Sequence, residues 1–229
     1  KALDVHMRQF LAHSPFVIVS THSADGRCDA SPRGDGPGFV YVIDDHTLLI
    51  PDRTGNKRVD SYRNIVETGR IGLLFLIPGF GETLRVNGRA AIIRDEAWLT
   101  PLTAQGQRPL VAVAVEVEEC FLQCAKALIR SKLWESHERP NLDSLPCAAE
   151  MLSDHVQMPE FDVPKLQALL DEATNCINRS CTQPDSVTMP QCRAIWHERL
   201  SVANASDKRP AADEDVVSSR SSSGQSWRE

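Results

Sequence analysis

The segment PDRTGNKRVDSYRN, residues 51–64, connects an apolar run that is typical of a strand to a short helical pattern. Arg53, Lys57 and Arg58 lie in this connection, and its glycine and asparagine favour a turn. The first turn of a helix exposes free N–H groups and the positive end of the helix dipole, which together attract anions. The segment therefore predicts a site for a phosphate group; a solvated basic loop is the alternative interpretation.

The composition of the whole chain restricts the kind of ligand that this basic segment can bind. The chain has 229 residues, a net charge of −6 and 41% hydrophobic residues, which suffices for one domain with appendages. The negative net charge disfavours a nucleic-acid partner, so a small anionic ligand is predicted instead. No apolar run approaches the roughly 18 residues of a membrane span. Seven cysteines without metal-binding spacing indicate reduced thiols, a cytoplasmic protein and no metal site.

Short runs with period-two alternation or many β-branched residues predict about seven strands. The clearest alternation lies in residues 83–94, where Leu84 and Val86 share one face and Thr83 and Arg85 share the other. Residues 70–77 form a continuous apolar run, which predicts a fully buried strand. The predicted strands are residues 16–20, 27–32, 39–43, 47–50, 70–77, 83–94 and 111–121. This spacing favours an all-β barrel over a sheet of alternating strands and helices.

Helical patterns flank the predicted barrel. A helix over residues 59–68, ended by Gly69, is expected to turn Val59, Ile65 and Val66 inward. Further helices are predicted at residues 2–13, 147–155, 164–177 and, more weakly, 191–200. The predicted domains are an N-terminal helix (1–14), the barrel (15–135), a helical C-terminal extension (136–200) and a disordered tail (201–229).

Several polar residues lie at predicted strand ends. Arg33 ends the second strand next to Ser31, where it either contacts a ligand or forms a surface salt bridge. The RGDGPG segment, residues 33–38, lacks the following helix that a dinucleotide-binding loop requires, so it is interpreted as a crossover or bulge. The polar face that carries Thr83 and Arg85 is either solvated or the wall of a site. The sequence offers no persuasive general acid or base, so catalytic residues are not predicted.

The order of these motifs resembles the pyridoxamine 5′-phosphate oxidase-like flavoproteins, the FMN-binding split-barrel family. The resemblance lies in ASPRG (30–34), PDRTGNKR (51–58) and TLRVNGRA (83–90), and it covers about residues 10–135. The chain is most similar to the subgroup with SPRGD and PGNxR-type motifs. The resemblance implies a mainly β fold, a split β-barrel of the FMN-binding type with flanking helices and a helical C-terminal extension.

The resemblance also implies the roles of individual residues. Lys57 and Arg58 match the adjacent basic residues that bind the FMN phosphate in the family. Thr83 matches a residue that reaches the flavin ring from the second subunit of a homodimer. Together with Asn56 and Arg85 of the same motifs, the predicted cofactor contacts are Ser31, Pro32, Arg33, Pro51, Asp52, Arg53, Asn56, Lys57, Arg58, Thr83 and Arg85. A cation near the flavin pyrimidine ring stabilises the reduced state, and Arg33 or Arg53 is expected to supply it.

Two functions of different class follow from this resemblance. The first is an FMN-dependent oxidoreductase, a homodimer that acts on a small-molecule substrate of unknown identity. The second is a binding module on the same barrel that holds flavin, the deazaflavin F420 or haem without turnover. The basic C-terminal segment that holds the substrate phosphate in the vitamin oxidase is not recognisable here, so oxidation of vitamin B6 is not inferred.

Overall fold

The computed structural model describes residues 2–53, 58–135, 141, 144–156 and 162–180. All of these residues belong to one compact unit, Lys1–Met189. The strands are β1 (Phe16–His22), β2 (Cys28–Gly34), β3 (Tyr41–Asp44), β4 (Thr47–Pro51), β5 (Arg70–Leu76), β6 (Thr83–Ile93) and β7 (Ala112–Gln123). The helices are α1 (Val5–His13), α2 (Asp60–Thr68), α3 (Glu96–Leu99), α4 (Lys126–Ser131), α5 (Ala148–Val156) and α6 (Val163–Ser180), with a 3-10 turn at Thr100–Leu102.

The described strands form one seven-stranded antiparallel sheet in the order β2-β1-β5-β6-β7-β4-β3. Hairpins join β1 to β2 and β3 to β4, and β5, β6 and β7 follow one another as a meander. Helix α2 leads the chain from β4, near one end of the sheet, back to β5. The predicted fold class is therefore confirmed: a mainly β split barrel with flanking helices, which continues into helices after β7.

The long pair β6–β7 contains an irregularity that bends the sheet. The register between these strands shifts at Asn87 and Gly88. A Cβ atom at Gly88 would lie 2.0 Å from the backbone oxygen of Glu116, a distance at which no side chain fits. The glycine thus allows the close approach of two backbones that a bulge of this kind requires.

The sheet has two unlike faces. On the core face, Val17, Phe75 and Leu84 are cross-strand neighbours and are fully buried. On the opposite side, which we call the outer face, Ile18 and Leu74 are neighbours and are only half-buried. The outer face consists of the side chains on β2, β1, β5 and β6 that alternate with the buried ones. Four of them are paired across the sheet in one row: Pro32, Ile18, Leu74 and Arg85. The prediction that residues 70–77 form a fully buried strand is therefore wrong, because only one face of β5 is covered.

Helix α2 packs on the sheet through a partly polar face. Ser61, Asn64 and Ile65 are buried, and Gly69 ends the helix with a φ of +65°, as predicted. The prediction that Val59 and Val66 turn inward is wrong, since they are 52% and 76% exposed. The buried polar residues find hydrogen-bond partners on the strands, so this face of the helix does not need to be apolar.

The segments that follow β7 are mainly helical, and some of their residues are buried or bonded to the rest of the chain. Trp134, beyond α4, donates from its indole nitrogen to the backbone oxygen of Phe80 at 2.9 Å. Ala149 of α5 and Leu166 of α6 are buried, and these two helices match the helices predicted at 147–155 and 164–177. The predicted helix at 191–200 and the predicted disordered tail at 201–229 lie outside the described residues. Within the described ranges, no helix is long and apolar enough to cross a membrane.

Candidate functional site

Strand β2 carries three of the predicted contacts at one edge of the sheet. Arg33 lies opposite Val17 and projects half-buried from the core face, and Ser31 projects from the same face. Arg33 Nη1 donates to the backbone oxygen of Pro32 at 2.9 Å and also to the Ser31 hydroxyl. Pro32 itself is exposed on the outer face, in an edge strand that tolerates proline. Ser31 and Arg33 can therefore meet one ligand on the core-face side, whereas the Pro32 side chain cannot.

Tyr62 in α2 brings the ends of β2 and β4 together. Its hydroxyl donates to Asp52 Oδ1 at 2.5 Å, and the guanidinium carbon of Arg33 lies 5.8 Å from the centre of its ring. Asp52 follows β4 directly, and its N–H donates to the backbone oxygen of Val111 at 3.0 Å. Burial and the Asp52 carboxylate raise the pKa of Tyr62 above its usual range, so the phenol keeps its proton and acts as a donor. Arg33 and Asp52, which are distant in sequence, thus adjoin the same side chain.

Two further hydrogen bonds fix α2 on the sheet beside this cluster. The Ser61 hydroxyl donates to Asp29 Oδ2 on β2 at 2.6 Å. The Asn64 side-chain amide donates to the Thr21 hydroxyl on β1 at 3.0 Å, and both side chains are buried. Helix α2 is consequently held at a defined position relative to β1 and β2, which sets the position of Tyr62.

Arg53 makes hydrogen bonds within its own chain, and its predicted contact with the flavin stays a prediction. Its Nε donates to Asp35 Oδ2 at 2.5 Å, and its Nη1 donates to the backbone oxygen of Leu102 at 2.9 Å. The side chains of Arg53 and Asp35 are only 26% and 18% exposed. Arg53 therefore ties the end of β4 to the loop after β2 and to the 3-10 turn. Pro51, two residues earlier, is buried opposite Ala112.

The predicted phosphate-binding residues are only partly within the described part of the chain. Asn56 and Lys57 lie outside the described residues. The Arg58 side chain is 75% exposed and pairs with Asp60, with Nη2 and Nε at 2.7 and 3.0 Å from Oδ2. Hydrogen bonding to Asp60 raises the pKa of Arg58, so the guanidinium is charged throughout the usual pH range. The phosphate role of Lys57 and Arg58 stays a prediction.

Thr83 and Arg85 lie at the start of β6, away from the cluster around Tyr62. Both occupy positions that alternate with the buried Leu84, so they project from the face opposite to Arg33. Strands β1 and β5 separate β6 from β2, which places β6 about 14 Å from β2 across the sheet at normal strand spacing. Thr83 is buried, while Arg85 is exposed with its guanidinium carbon 5.4 Å from the centre of the Phe121 ring. One chain does not bring Thr83 or Arg85 to Arg33.

A cavity of about 600 Å³ opens elsewhere, mainly on the outer face. Its lining includes Ser20, His22, Cys28, Arg70, Gly72 and Asn87. Its lining contains none of the predicted site residues that the structure describes. Within the described ranges, no group of three or more histidine, cysteine or acidic side chains is arranged to hold a metal ion.

Sequence reasoning did not identify Tyr62, Asp29 or Ser61 as parts of this region. The sequence did carry one relevant signal, because Ser61 and Tyr62 lie in the first turn of a helix that directly follows the basic segment. Their partners, Asp29 and Asp52, follow only from the pairing of the strands.

Solved structures similar to this chain each resemble about half of it. HupZ from Group A Streptococcus is 23% identical with a TM-score of 0.44, over 53% of this chain and 94% of that one. A protein of the pyridoxinephosphate oxidase family from Clostridium acetobutylicum is 14% identical with a TM-score of 0.40, over 52% and 87%. An F420 reductase is 19% identical with a TM-score of 0.37, over 50% and 94%.

The comparison with protein families gives a direct assignment. No curated protein matches the chain at a significant level. The family model described as pyridoxamine 5′-phosphate oxidase matches residues 3–124, which is more than half of the chain and contains all seven described strands. The chain therefore belongs to the pyridoxamine 5′-phosphate oxidase family.

Proposed function

We propose that the protein is an FMN-dependent oxidoreductase that works as a homodimer in the cytoplasm on a small-molecule substrate. Ser31, Arg33 and Asp52 would hold the flavin ring, and the residues at the start of α2 would hold its phosphate. When bound, the flavin supplies the hydride or electron chemistry, and the chain supplies binding, orientation and the local electric field.

The observation that carries this proposal is the meeting of Arg33, Asp52 and Tyr62. Two segments that the family resemblance marks as flavin-lining, one on β2 and one after β4, adjoin the same tyrosine. Arg33 has no carboxylate partner among the described residues, although it is half-buried. A partly buried cation without a counter-ion favours a ligand that brings electron density to it. The polar groups present thus fit the pyrimidine side of a flavin.

Arg53 and Arg58 have different roles in the proposed site. Arg53 is held by a carboxylate and a carbonyl in a half-buried position, so it supports the site without facing it. The Arg58–Asp60 pair is exposed, and exposed ion pairs contribute little to stability. Arg58 can therefore exchange Asp60 for a phosphate dianion, which offers bidentate acceptors to the guanidinium. The fit at the phosphate end depends on this exchange and on Lys57.

The position of β6 supports the homodimer. Thr83 and Arg33 project from opposite faces of strands about 14 Å apart, so both can contact one flavin only if Thr83 comes from a second copy. The outer face also carries apolar side chains, Phe16, Ile18 and Leu74, that one chain leaves half-covered. A second copy would bury these groups and gain hydrophobic free energy.

A visible spectrum of the purified protein, with and without added FMN, tests the proposal. We expect flavin absorbance that is bleached under anaerobic conditions by a nicotinamide donor. Bound flavin that no donor reduces would favour the non-catalytic binding module, and uptake of F420 or haem in preference to FMN would identify the cofactor as a different one. A colourless protein that takes up none of these cofactors would refute both functions.

The phosphate contacts are tested by replacing Lys57 and Arg58 together with alanine. We expect the dissociation constant of FMN to rise strongly, whereas that of riboflavin, which lacks the phosphate, changes little. The matched control is Arg63→Ala, which removes a cation from the exposed side of α2. An equal loss of affinity for FMN and riboflavin would show that the phosphate lies elsewhere.

A further inference from the structure

The outer-face cavity opens over Gly72, a glycine in the middle of β5 between Ser20 of β1 and Asn87 of β6. A glycine inside a strand often marks a bulge, or the close approach of another backbone or of a ligand. The register of β5 is continuous on both sides, so there is no bulge at Gly72, and its φ is not positive. Among the described residues, a Cβ atom here would first meet Asn87 Oδ1 at 3.4 Å and the Ser20 Cβ at 3.8 Å. Since no backbone crowds this glycine, the close approach of a ligand is the explanation that is left.

The side chains on the two sides of Gly72 keep hydrogen-bonding capacity. The Asn87 side-chain amide donates to Glu119 Oε2 at 3.0 Å, which leaves Oδ1 as an acceptor beside the open space over Gly72. The Ser20 hydroxyl is exposed and has no hydrogen-bond partner among the described residues. The shift in register between β6 and β7 also begins at Asn87, and such bulges often re-aim side chains next to a functional site. The cavity therefore presents an acceptor and a hydroxyl on opposite sides of a bare strip of strand.

The charged side chains of the lining do not favour an ion. Arg70 Nη1 lies 2.6 Å from Glu118 Oε2, so these two charges compensate each other. Asp29 belongs to the core face, where it accepts a hydroxyl of α2. His22 Nδ1 lies 3.0 Å from the backbone oxygen of the next residue, so a neutral ring carries its proton there and Nε2 is an acceptor. An uncharged ligand that brings its own N–H donors is complementary to these groups.

We propose that the outer-face cavity binds an uncharged nitrogen heterocycle that carries an amino group and is about the size of a nucleoside. The ring would lie flat over Gly72, where no side chain intervenes. Its amino group would donate to Asn87 Oδ1, and the Ser20 hydroxyl would bond to a ring nitrogen. The volume of about 600 Å³ is within the usual range of small-molecule pockets.

This site is separate from the proposed flavin site. The cavity lies mainly on the face opposite to Arg33, and its lining contains none of the described flavin contacts. Phe16, Ile18 and Leu74, which the second copy is proposed to cover, do not line it either. The inference therefore goes beyond the proposed function and does not depend on it.

Isothermal titration of the purified protein with adenosine and with purine riboside, which lacks the amino group, tests the proposal. Loss of one hydrogen bond between neutral groups corresponds to about a 2- to 12-fold weaker binding. We expect purine riboside to bind more weakly than adenosine by this ratio. In Asn87→Ala the ratio should fall towards one, because the acceptor of the amino group is absent. Crossing a ligand change with a residue change separates their interaction from general effects on the fold.

Two variants fill the cavity. Gly72→Val places a branched side chain on its floor, and Ala30→Leu enters it from the exposed edge strand β2. Both should weaken adenosine binding strongly, whereas Ala127→Leu, at an exposed position of α4 outside the cavity, should not. Thermal unfolding without ligand shows whether each variant is folded. Ala30→Leu keeps the test decisive if Gly72→Val does not fold.

Each outcome supports or overturns the proposal. Absence of adenosine binding to the natural protein, or binding that both filling variants leave unchanged, overturns the site. Equal binding of the two nucleosides overturns the contact between the amino group and Asn87. Adenosine should leave the affinity for FMN unchanged, and competition between them would show that the two sites are not separate. FMN uptake without adenosine binding would refute this inference alone and leave the flavin function standing.

Discussion

Arg53 and Arg58 lie in the same basic segment of the sequence, but they have different environments in the structure. Arg53 makes a bond of 2.5 Å to Asp35 in a position where the two side chains are 26% and 18% exposed. Replacing Arg53 with methionine removes the donor to Asp35 Oδ2 and to the Leu102 carbonyl, while Asp35 Oδ1 keeps its bond from the Gly36 N–H. A lost hydrogen bond to a charged group, with the partner left unsatisfied, costs about 2–4 kcal/mol. Arg58 bonds to Asp60 with a 75% exposed side chain, so Arg58→Met should scarcely change stability.

Chemical denaturation of the protein without cofactor measures both effects through double-mutant cycles. One cycle uses Arg53→Met and Asp35→Asn, and the other uses Arg58→Met and Asp60→Asn. We expect a coupling of about 1–3 kcal/mol in the first cycle and none above error in the second. Similar coupling in the two cycles would refute the reasoning that burial and a second acceptor make the Arg53 bond more stabilising than the exposed Arg58 bond.

Three further predictions concern the sheet, the tyrosine and the second copy. Gly88→Ala should destabilise the fold by at least about 1–3 kcal/mol, because the Cβ meets the Glu116 backbone, whereas Gly36→Ala, in open space, should not; equal midpoints in urea would contradict this. Folding raises the pKa of Tyr62 above the value in the unfolded chain, which is about 10. The stability that this shift contributes is therefore fully present below about pH 10 and is lost progressively as the pH rises further. Tyr62→Phe should therefore flatten the alkaline fall in stability, and an unchanged profile would count against the buried phenol. In a purified mixed dimer of Arg33→Glu and Arg85→Glu chains, one site is intact, so FMN should bind at half the normal stoichiometry; no binding would contradict a shared site.

The fold follows from the sequence because its signals are local. Period-two alternation in residues 83–94 and the turn residues between apolar runs predict the seven strands that the structure shows. Gly69 marks the end of α2 through its left-handed backbone, which glycine adopts without strain. These signals depend on residues that are close together in the chain, so the sequence alone is enough to detect them.

The candidate site follows from the sequence only in outline, because side-chain partners are set by contacts between distant segments. The partners of Arg53 lie 18 and 49 residues away in the chain. Nothing near Arg53 in the sequence indicates that Asp35 and Leu102 will accept its hydrogen bonds. In the same way, the role of Tyr62 depends on β2 and β4 meeting α2, which periodicity does not reveal.

A crystal structure of the protein soaked or grown with FMN tests the central claim most directly. We predict the flavin ring against Ser31, Arg33 and Asp52, the phosphate at the start of α2 beside Arg58, and Thr83 of a second copy against the ring. Flavin density in the outer-face cavity beside Gly72, with Arg33 and Asp52 facing solvent, would contradict the account.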